Sequence, residues 1–218
     1  MTNPLEESDT PLEVKLSHAF ARLGIVQRAN SWESTSVEGL NPTQGSILSF
    51  LHKRNTSVRL SEIAQELAVS NATVSDSVST LVEKGLVTKR RAKEDARATA
   101  ISLRPKGKKL ADRLGLGDIR IKQALESLGS NEREQLYRTM LKLIRQLQLA
   151  GQISVNRACV TCRYFRPNVH KTPSRPHHCV LVDAPFGDKT LREDCSEHEP
   201  ADEHLAAQNW KTFAGENG

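Results

Sequence analysis

The chain has 218 residues, 37% of them hydrophobic and 26% charged, with a formal net charge of +5. That balance excludes a membrane-embedded body and a wholly disordered one, and no apolar run approaches the roughly 18 residues a membrane-spanning helix needs. The charge is uneven: residues 84–122 hold thirteen Lys/Arg and four Asp/Glu, whereas residues 183–218 hold nine Asp/Glu and three Lys/Arg, so a polyanion-binding face is expected in the middle of the chain.

Residues 1–10 carry Glu6, Glu7 and Asp9 where a secretory signal has a basic start and an apolar core. A flexible N-terminus and a cytoplasmic location are expected, with no membrane partner and structural disulfides disfavoured. Leu12, Leu16, Phe20, Leu23 and Val26 then recur at helical spacing over residues 11–30. Asn41-Pro42 reads as a helix start, followed by Ile47, Leu48 and Leu51. A helix over 61–67 places Ile63, Ala64 and Leu67 on one face. Ser70 is an N-cap for a helix over 71–84 whose stripe is Val74, Val78, Leu81 and Val82, ended by Gly85.

Two strand-compatible segments follow at 86–91 and 98–103, joined by the polar tip Ala92-Lys93-Glu94-Asp95-Ala96. Pro105 opens a helix toward residue 128, with a bend expected near Gly115 and Gly117. Asn131 and Glu134 have the spacing of a capping box for a last helix carrying Leu136, Met140, Leu143, Ile144 and Leu147.

Helix, short turn, helix, β-hairpin is a DNA-reading order. The first helix braces the second, the second offers its N-terminal half to the major groove, and the hairpin reaches the backbone or the minor groove. The outward positions of the second helix are small and polar: Asn71, Thr73, Ser75, Asp76 and Ser79. Such side chains allow close approach to base edges, Asn pairing with adenine and Asp accepting from the cytosine amino group. Lys89, Arg90, Arg91, Lys93 and Arg97 on the hairpin suit phosphate contact and a narrow, electronegative minor groove.

The segments NPTQGSILSFL, LSEIAQELAVSNATVSDSVSTLVEKGLVTKR, EDARATAISL and RPKGKKL resemble successive signatures of the multiple-antibiotic-resistance regulator (MarR) family over about residues 12–150. Asp95-Ala96-Arg97 matches that family's D-x-R. The resemblance implies that Arg97 enters the minor groove and that Asp95 orients the wing arginines. It also implies a homodimer held by the first and last helices, a pseudo-palindromic double-stranded DNA operator, and a small-molecule effector. Asp76 stands where many members place a basic residue, which points to unusual base preferences; Arg104 replaces a common threonine.

All four cysteines fall late, as C-x2-C-x16-C-x15-C formed by Cys159, Cys162, Cys179 and Cys195. The segment around them has few large apolar residues, and a piece this small needs a staple; bound metal supplies one because its binding energy becomes folding energy. An iron–sulfur cluster, [4Fe-4S] among the forms, comes first because it bridges dispersed thiolates. Structural zinc comes second, since only one close pair is present, and a redox pair Cys159/Cys162 third. His177, His178 and His198 read as neighbours rather than ligands. Asp194, directly before Cys195, is expected to raise that thiol unless a metal offsets it.

The expected architecture is mainly α with a small β-hairpin wing: a winged helix-turn-helix with helical dimerisation arms over 11–150, a small metal-stapled module over 155–200, and an acidic tail over 201–218. The expected function is a DNA-binding transcription regulator, a repressor, whose DNA binding is modulated by the cysteine centre. The alternative is a regulator with structural zinc and a small-molecule effector. The chain has no paired nucleophile and base, no phosphate-cradling glycine loop and no HExxH, so an enzyme is not expected; a metal or redox enzyme is the remote alternative.

Overall fold

The computed structural model describes residues 10–91, 99–115 and 119–215. In chain order the elements are α1 (Leu12–Ser36), α2 (Pro42–Arg54), β1 (Val58–Arg59), α3 (Leu60–Glu66), α4 (Asn71–Glu83), β2 (Val87–Arg91), β3 (Thr99–Leu103), α5 (Pro105–Gly115), α6 (Ile119–Glu126), α7 (Ser130–Leu149), β4 (Phe165–Arg166), β5 (His177–Cys179), β6 (Ala184–Phe186) and α8 (Glu203–Ala214). Among the described residues no helix is long and apolar enough to cross a membrane. The chain divides into two compact units: Met1–His52, Thr56–Arg59 and Val74–Ser127 form one, and Lys53–Asn55, Leu60–Thr73 and Leu128–Gly218 form the other.

The first unit buries Ile47, Leu48 and Leu51 of α2, Val74, Val78 and Leu81 of α4, and Val87 and Ile101 of the sheet. The sheet order is β1-β3-β2, antiparallel throughout, with Val87 opposite Leu103 and Lys89 opposite Ile101. Gly85 ends α4 at φ +69, the left-handed conformation that glycine adopts without a Cβ penalty. α1 runs on to Ser36, past the apolar stripe, and its polar end bonds back on itself: Thr35 Oγ1 donates to the Ser31 carbonyl at 2.6 Å and Ser34 Oγ to the same carbonyl at 3.2 Å.

Gly107 sits in the first turn of α5 against the start of β2. A Cβ there would stand 2.0 Å from the Leu86 carbonyl oxygen and 2.9 Å from its carbon. That oxygen already accepts the Arg104 amide at 2.9 Å, so neither side can give way cheaply. Gly107→Ala is expected to destabilise this unit by about 2–3 kcal/mol, read as a lower denaturation midpoint in urea.

The second unit has its own core of Leu141, Ala158, Val160, Phe165, Leu191 and Phe213, with Tyr137, Phe186 and Trp210 packed against it. Its sheet order is β4-β5-β6, antiparallel, pairing Phe165 with Cys179 and Cys179 with Ala184. α7 begins two residues earlier than the Asn131/Glu134 spacing suggests. Its N-cap is Gly129, whose amide donates to Glu132 Oε2 at 2.8 Å; glycine has no side chain to complete a reciprocal box. Residues 201–218, read from composition as an acidic tail, contain α8, capped by Asp202 accepting from the Leu205 amide at 2.9 Å. Phe213 of α8 is fully buried.

Candidate functional site

On α4, Val74, Ser77 and Val78 are buried, while Asn71, Thr73, Asp76 and Ser79 are exposed and Ser75 is half-buried. The helix is started by Ser70, whose Oγ accepts the Thr73 amide at 3.1 Å and lies 2.8 Å from Thr73 Oγ1. Ser79 Oγ donates back to the Ser75 carbonyl at 2.9 Å, which shortens that side chain's reach. β2 presents Lys89, Arg90 and Arg91 outward. Lys93, Asp95 and Arg97 lie outside the described residues. The result is one helix face of short polar groups, and a neighbouring strand in sequence carrying three consecutive cations.

The cysteine centre is built by backbone pairing. Cys159 and Cys162 flank a short 3-10 turn, with the Cys162 amide donating to the Cys159 carbonyl at 3.0 Å. Residues 157–159 run against 192–195: the Cys159 amide donates to the Arg192 carbonyl at 2.9 Å and the Cys195 amide to the Arg157 carbonyl at 3.0 Å. Cys179 closes the set from β5. Cys159, Cys179 and Cys195 line one cavity of about 190 Å³, together with Leu181, Ala184 and Phe186. All four cysteines are free and half-buried. Burial pushes the Cys159 thiol up to about 11; the Arg192 amide pulls the other way, while Cys195, Cys162 and Cys179 add to the rise.

Arg192 serves two thiols at once, its amide donating to Cys159 Sγ at 3.2 Å and its guanidinium to Cys195 Sγ at 3.6 Å. Hydrogen bonds to sulfur of this kind stabilise thiolate ligands and tune iron–sulfur centres. Among the described residues no three His, Cys, Asp or Glu side chains are drawn tightly enough together to hold a single metal ion. Three of the four thiols border one cavity, with Arg192 N–H groups beside two of them; a soft sulfur donor set of this kind suits an iron–sulfur cluster or zinc.

The histidines are engaged elsewhere. His177 is fully buried; the Asn168 amide donates to its Nδ1 at 3.1 Å, so the proton sits on Nε2 and is given to Asp188 Oδ1 at 2.7 Å. His178 lies between His170 at 3.2 Å and Asp183 at 3.2 Å. His198 Nε2 lies 2.9 Å from Thr161 Oγ1, and burial holds its pKa below the usual value. Asp194 differs from expectation. Its charge is taken up by Arg157 Nε at 2.5 Å and Arg54 Nη1 at 3.5 Å, so it does not act as an isolated carboxylate beside Cys195.

Asp188, Arg138 and Arg192 are structural participants that the motif reading passed over; for Arg192, position three residues before Cys195 was the available signal. Asp188 accepts from Arg138 of α7 at 3.0 Å as well as from His177. Burial pushes its carboxyl up, but those two donors outweigh burial and hold it below the ordinary range. Asp188→Ala leaves a buried imidazole and a half-buried guanidinium without their acceptor and is expected to cost about 2–4 kcal/mol. Because the folded value is depressed, this contribution is present above the unfolded carboxylate value of about 4 and disappears as pH falls through the folded value. Denaturant melts of parent and variant, separate at pH 7, should converge in acid.

Residues 38–98 match the model of the MarR family. The match runs from before α2 through β2, ends just ahead of β3, and stops well before Cys159. The DNA complex of MepR from Staphylococcus aureus is similar at 22% identity and a TM-score of 0.54, covering 61% of this chain and 98% of that one. A MarR transcriptional regulator from Methanosarcina mazei matches at 18% identity and 0.53, covering 60% and 94%. BldR from Sulfolobus solfataricus matches at 18% identity and 0.53, covering 66% and 99%. No curated protein matches the chain. The winged-helix fold of these proteins is thus shared, and each is nearly used up on two thirds or less of this chain. At least a third of the chain, by the same coverage, has no counterpart in them.

Proposed function

We propose that this chain is a cytoplasmic, MarR-type transcription regulator that binds double-stranded operator DNA as a homodimer, represses from it, and has its DNA binding modulated by an iron–sulfur cluster held by Cys159, Cys162, Cys179 and Cys195. The observation that carries the DNA reading is the exposed short-polar face of α4, followed by the cationic strand β2, within a segment that matches the MarR family. Asn71, Thr73, Ser75, Asp76 and Ser79 read base edges; Lys89, Arg90, Arg91, Lys93 and Arg97 contact phosphates and the minor groove. Support for a dimer comes from apolar side chains left exposed on the expected arms. Leu12, Leu16, Phe20 and Leu23 are exposed on α1, and Leu136, Leu143 and Leu147 on α7.

The cluster, when bound, supplies a redox- and ligand-sensitive centre. The chain supplies the thiolates, the Arg192 hydrogen bonds to two of them, and the apolar wall of Leu181, Ala184 and Phe186 that limits water access. Metal analysis and a visible spectrum on anaerobically prepared protein test this part: iron with thiolate-to-iron absorption supports it, and colourless protein with stoichiometric zinc replaces it by a structural ion.

The DNA reading is tested by selection from a randomised duplex library. Arg97→Ala should weaken operator and random DNA alike, by roughly ten-fold for a minor-groove charge contact, and flatten the salt dependence by about one phosphate contact. Loss confined to one base position would contradict that role. A small-molecule effector is the second reading, favoured by a cavity of about 490 Å³ lined by Asn30, Glu33 and Ser34 of α1, Arg113 of α5 and Ile119, Arg120 and Gln123 of α6.

A further inference from the structure

The four cysteines share a compact unit with α3 and with the first turn of α4, which carries Asn71 and Thr73. Within that unit the segments that bear the thiols are tied to Arg54, six residues ahead of α3, and to Glu66, the last residue of α3. Ahead of α3, Arg54 at the end of α2 pairs with Asp194, the residue before Cys195. The two side chains are 18% and 25% exposed, so the pair is screened less than one on the open surface. Asp194 is itself fixed by Arg157, whose carbonyl accepts the Cys195 amide.

Behind α3, its last residue Glu66 accepts from Ser154 Oγ at 3.2 Å. Ser154 is held by Gln148, a buried residue of α7, whose side-chain amide donates to the Ser154 carbonyl at 3.1 Å and to Asn156 Oδ1 at 2.8 Å. Thr161, in the turn between Cys159 and Cys162, places its Oγ1 3.0 Å from the Ala158 carbonyl and 3.3 Å from the Asn156 carbonyl. One tie therefore runs from Cys195 and the other from the Cys159/Cys162 turn, the two parts of the ligand set farthest apart in sequence.

We propose that the cysteine centre controls DNA binding by anchoring the chain on either side of α3, through Asp194–Arg54 at the end of α2 and Ser154–Glu66 at the end of α3. The proposal rests on reading the cysteines as a metal- or cluster-holding centre. A group bound to all four thiols fixes the Asp194 segment and the 154–161 segment together. Its loss releases both, because a small module loses the binding energy that folds it. α3 and the Asn71–Thr73 turn joined to it by residues 67–70 then lose support, and operator affinity falls. The two states differ in the anchoring of one element, which is what a coupling between distant sites requires.

The test uses the full chain, once reconstituted anaerobically with iron and sulfide and once stripped with a chelator, against an operator duplex selected from the library. The parent is expected to bind roughly five-fold or more tightly when loaded. Arg54→Gln, which touches no cysteine, should keep iron content and spectrum while the loaded-to-stripped ratio falls to within about two-fold. Glu66→Ala is the second variant should Arg54→Gln fail to fold, and should narrow the ratio likewise. Amide exchange over residues 60–73 should rise on stripping in the parent and be high in both forms of the variants. Parental ratios in folded variants overturn the anchoring and leave metal control standing. A parent indifferent to stripping overturns metal control itself, and the anchoring with it.

Discussion

Cys179→Ala and Cys195→Ala are each expected to abolish iron binding and lower operator affinity while the dimer persists. Each is the one cysteine in its stretch of chain, Cys179 in the middle of a three-stranded sheet and Cys195 in the pairing of 192–195 with 157–159. No neighbouring thiol can take over. The same change leaves the first unit's core of Ile47, Leu48, Leu51 and Val78 untouched, so that unit, with the cations of β2, stays folded and retains its salt-dependent, sequence-independent attraction to DNA. Iron content, size-exclusion behaviour and operator affinity, measured side by side with the parent, check this. Iron lost with affinity unchanged would remove the centre from the regulatory scheme.

Phe213→Ala is expected to cost about 3–5 kcal/mol, the range for removing a fully buried aromatic ring. The second unit has few buried apolar residues, and Phe213 touches most of what organises them. Its ring lies 6.0 Å from Phe165, 5.7 Å from His177 and 5.9 Å from Trp210. The Arg138 guanidinium stands 4.4 Å over its face, and the same guanidinium donates to the Phe213 carbonyl. A loss of this size is a large fraction of a small module's stability. The variant should show a separate early unfolding step for residues 128–215 by amide exchange, with protection of α2 and α4 kept. Bound iron should recover part of the loss.

The helix-turn-helix was legible because local signals agree there: Ser70 caps, Val74 and Val78 repeat at one helical turn, and Gly85 stops the helix. The sequence marks the four cysteines as a set; that three of them, Cys159, Cys179 and Cys195, line one cavity comes from backbone pairing that their spacing does not show. Arg192 reaches two thiols by its own amide and guanidinium, and a backbone donor leaves no mark in residue spacing.

α8 was hidden by composition. Asp202 and Glu203 make its start look like part of a solvated acidic run, and Leu205, Trp210 and Phe213 are too few to set up a clear stripe. What makes it a packed helix is tertiary: Asn209 donates to the Phe165 carbonyl at 2.8 Å, and Lys142 of α7 caps the Ala214 carbonyl at 2.5 Å. The α7 start was misread for a related reason. Asn131 and Glu134 satisfy the capping pattern in text, but in space the Glu132 carboxylate caps the Gly129 amide, one half of such a box.

Phe213 lies 18 residues beyond Cys195, so a chain shortened to residue 200 keeps all four cysteines and loses the ring that packs against Phe165 and His177. The thiols and the aromatic packing that supports their module are thereby separable along the chain.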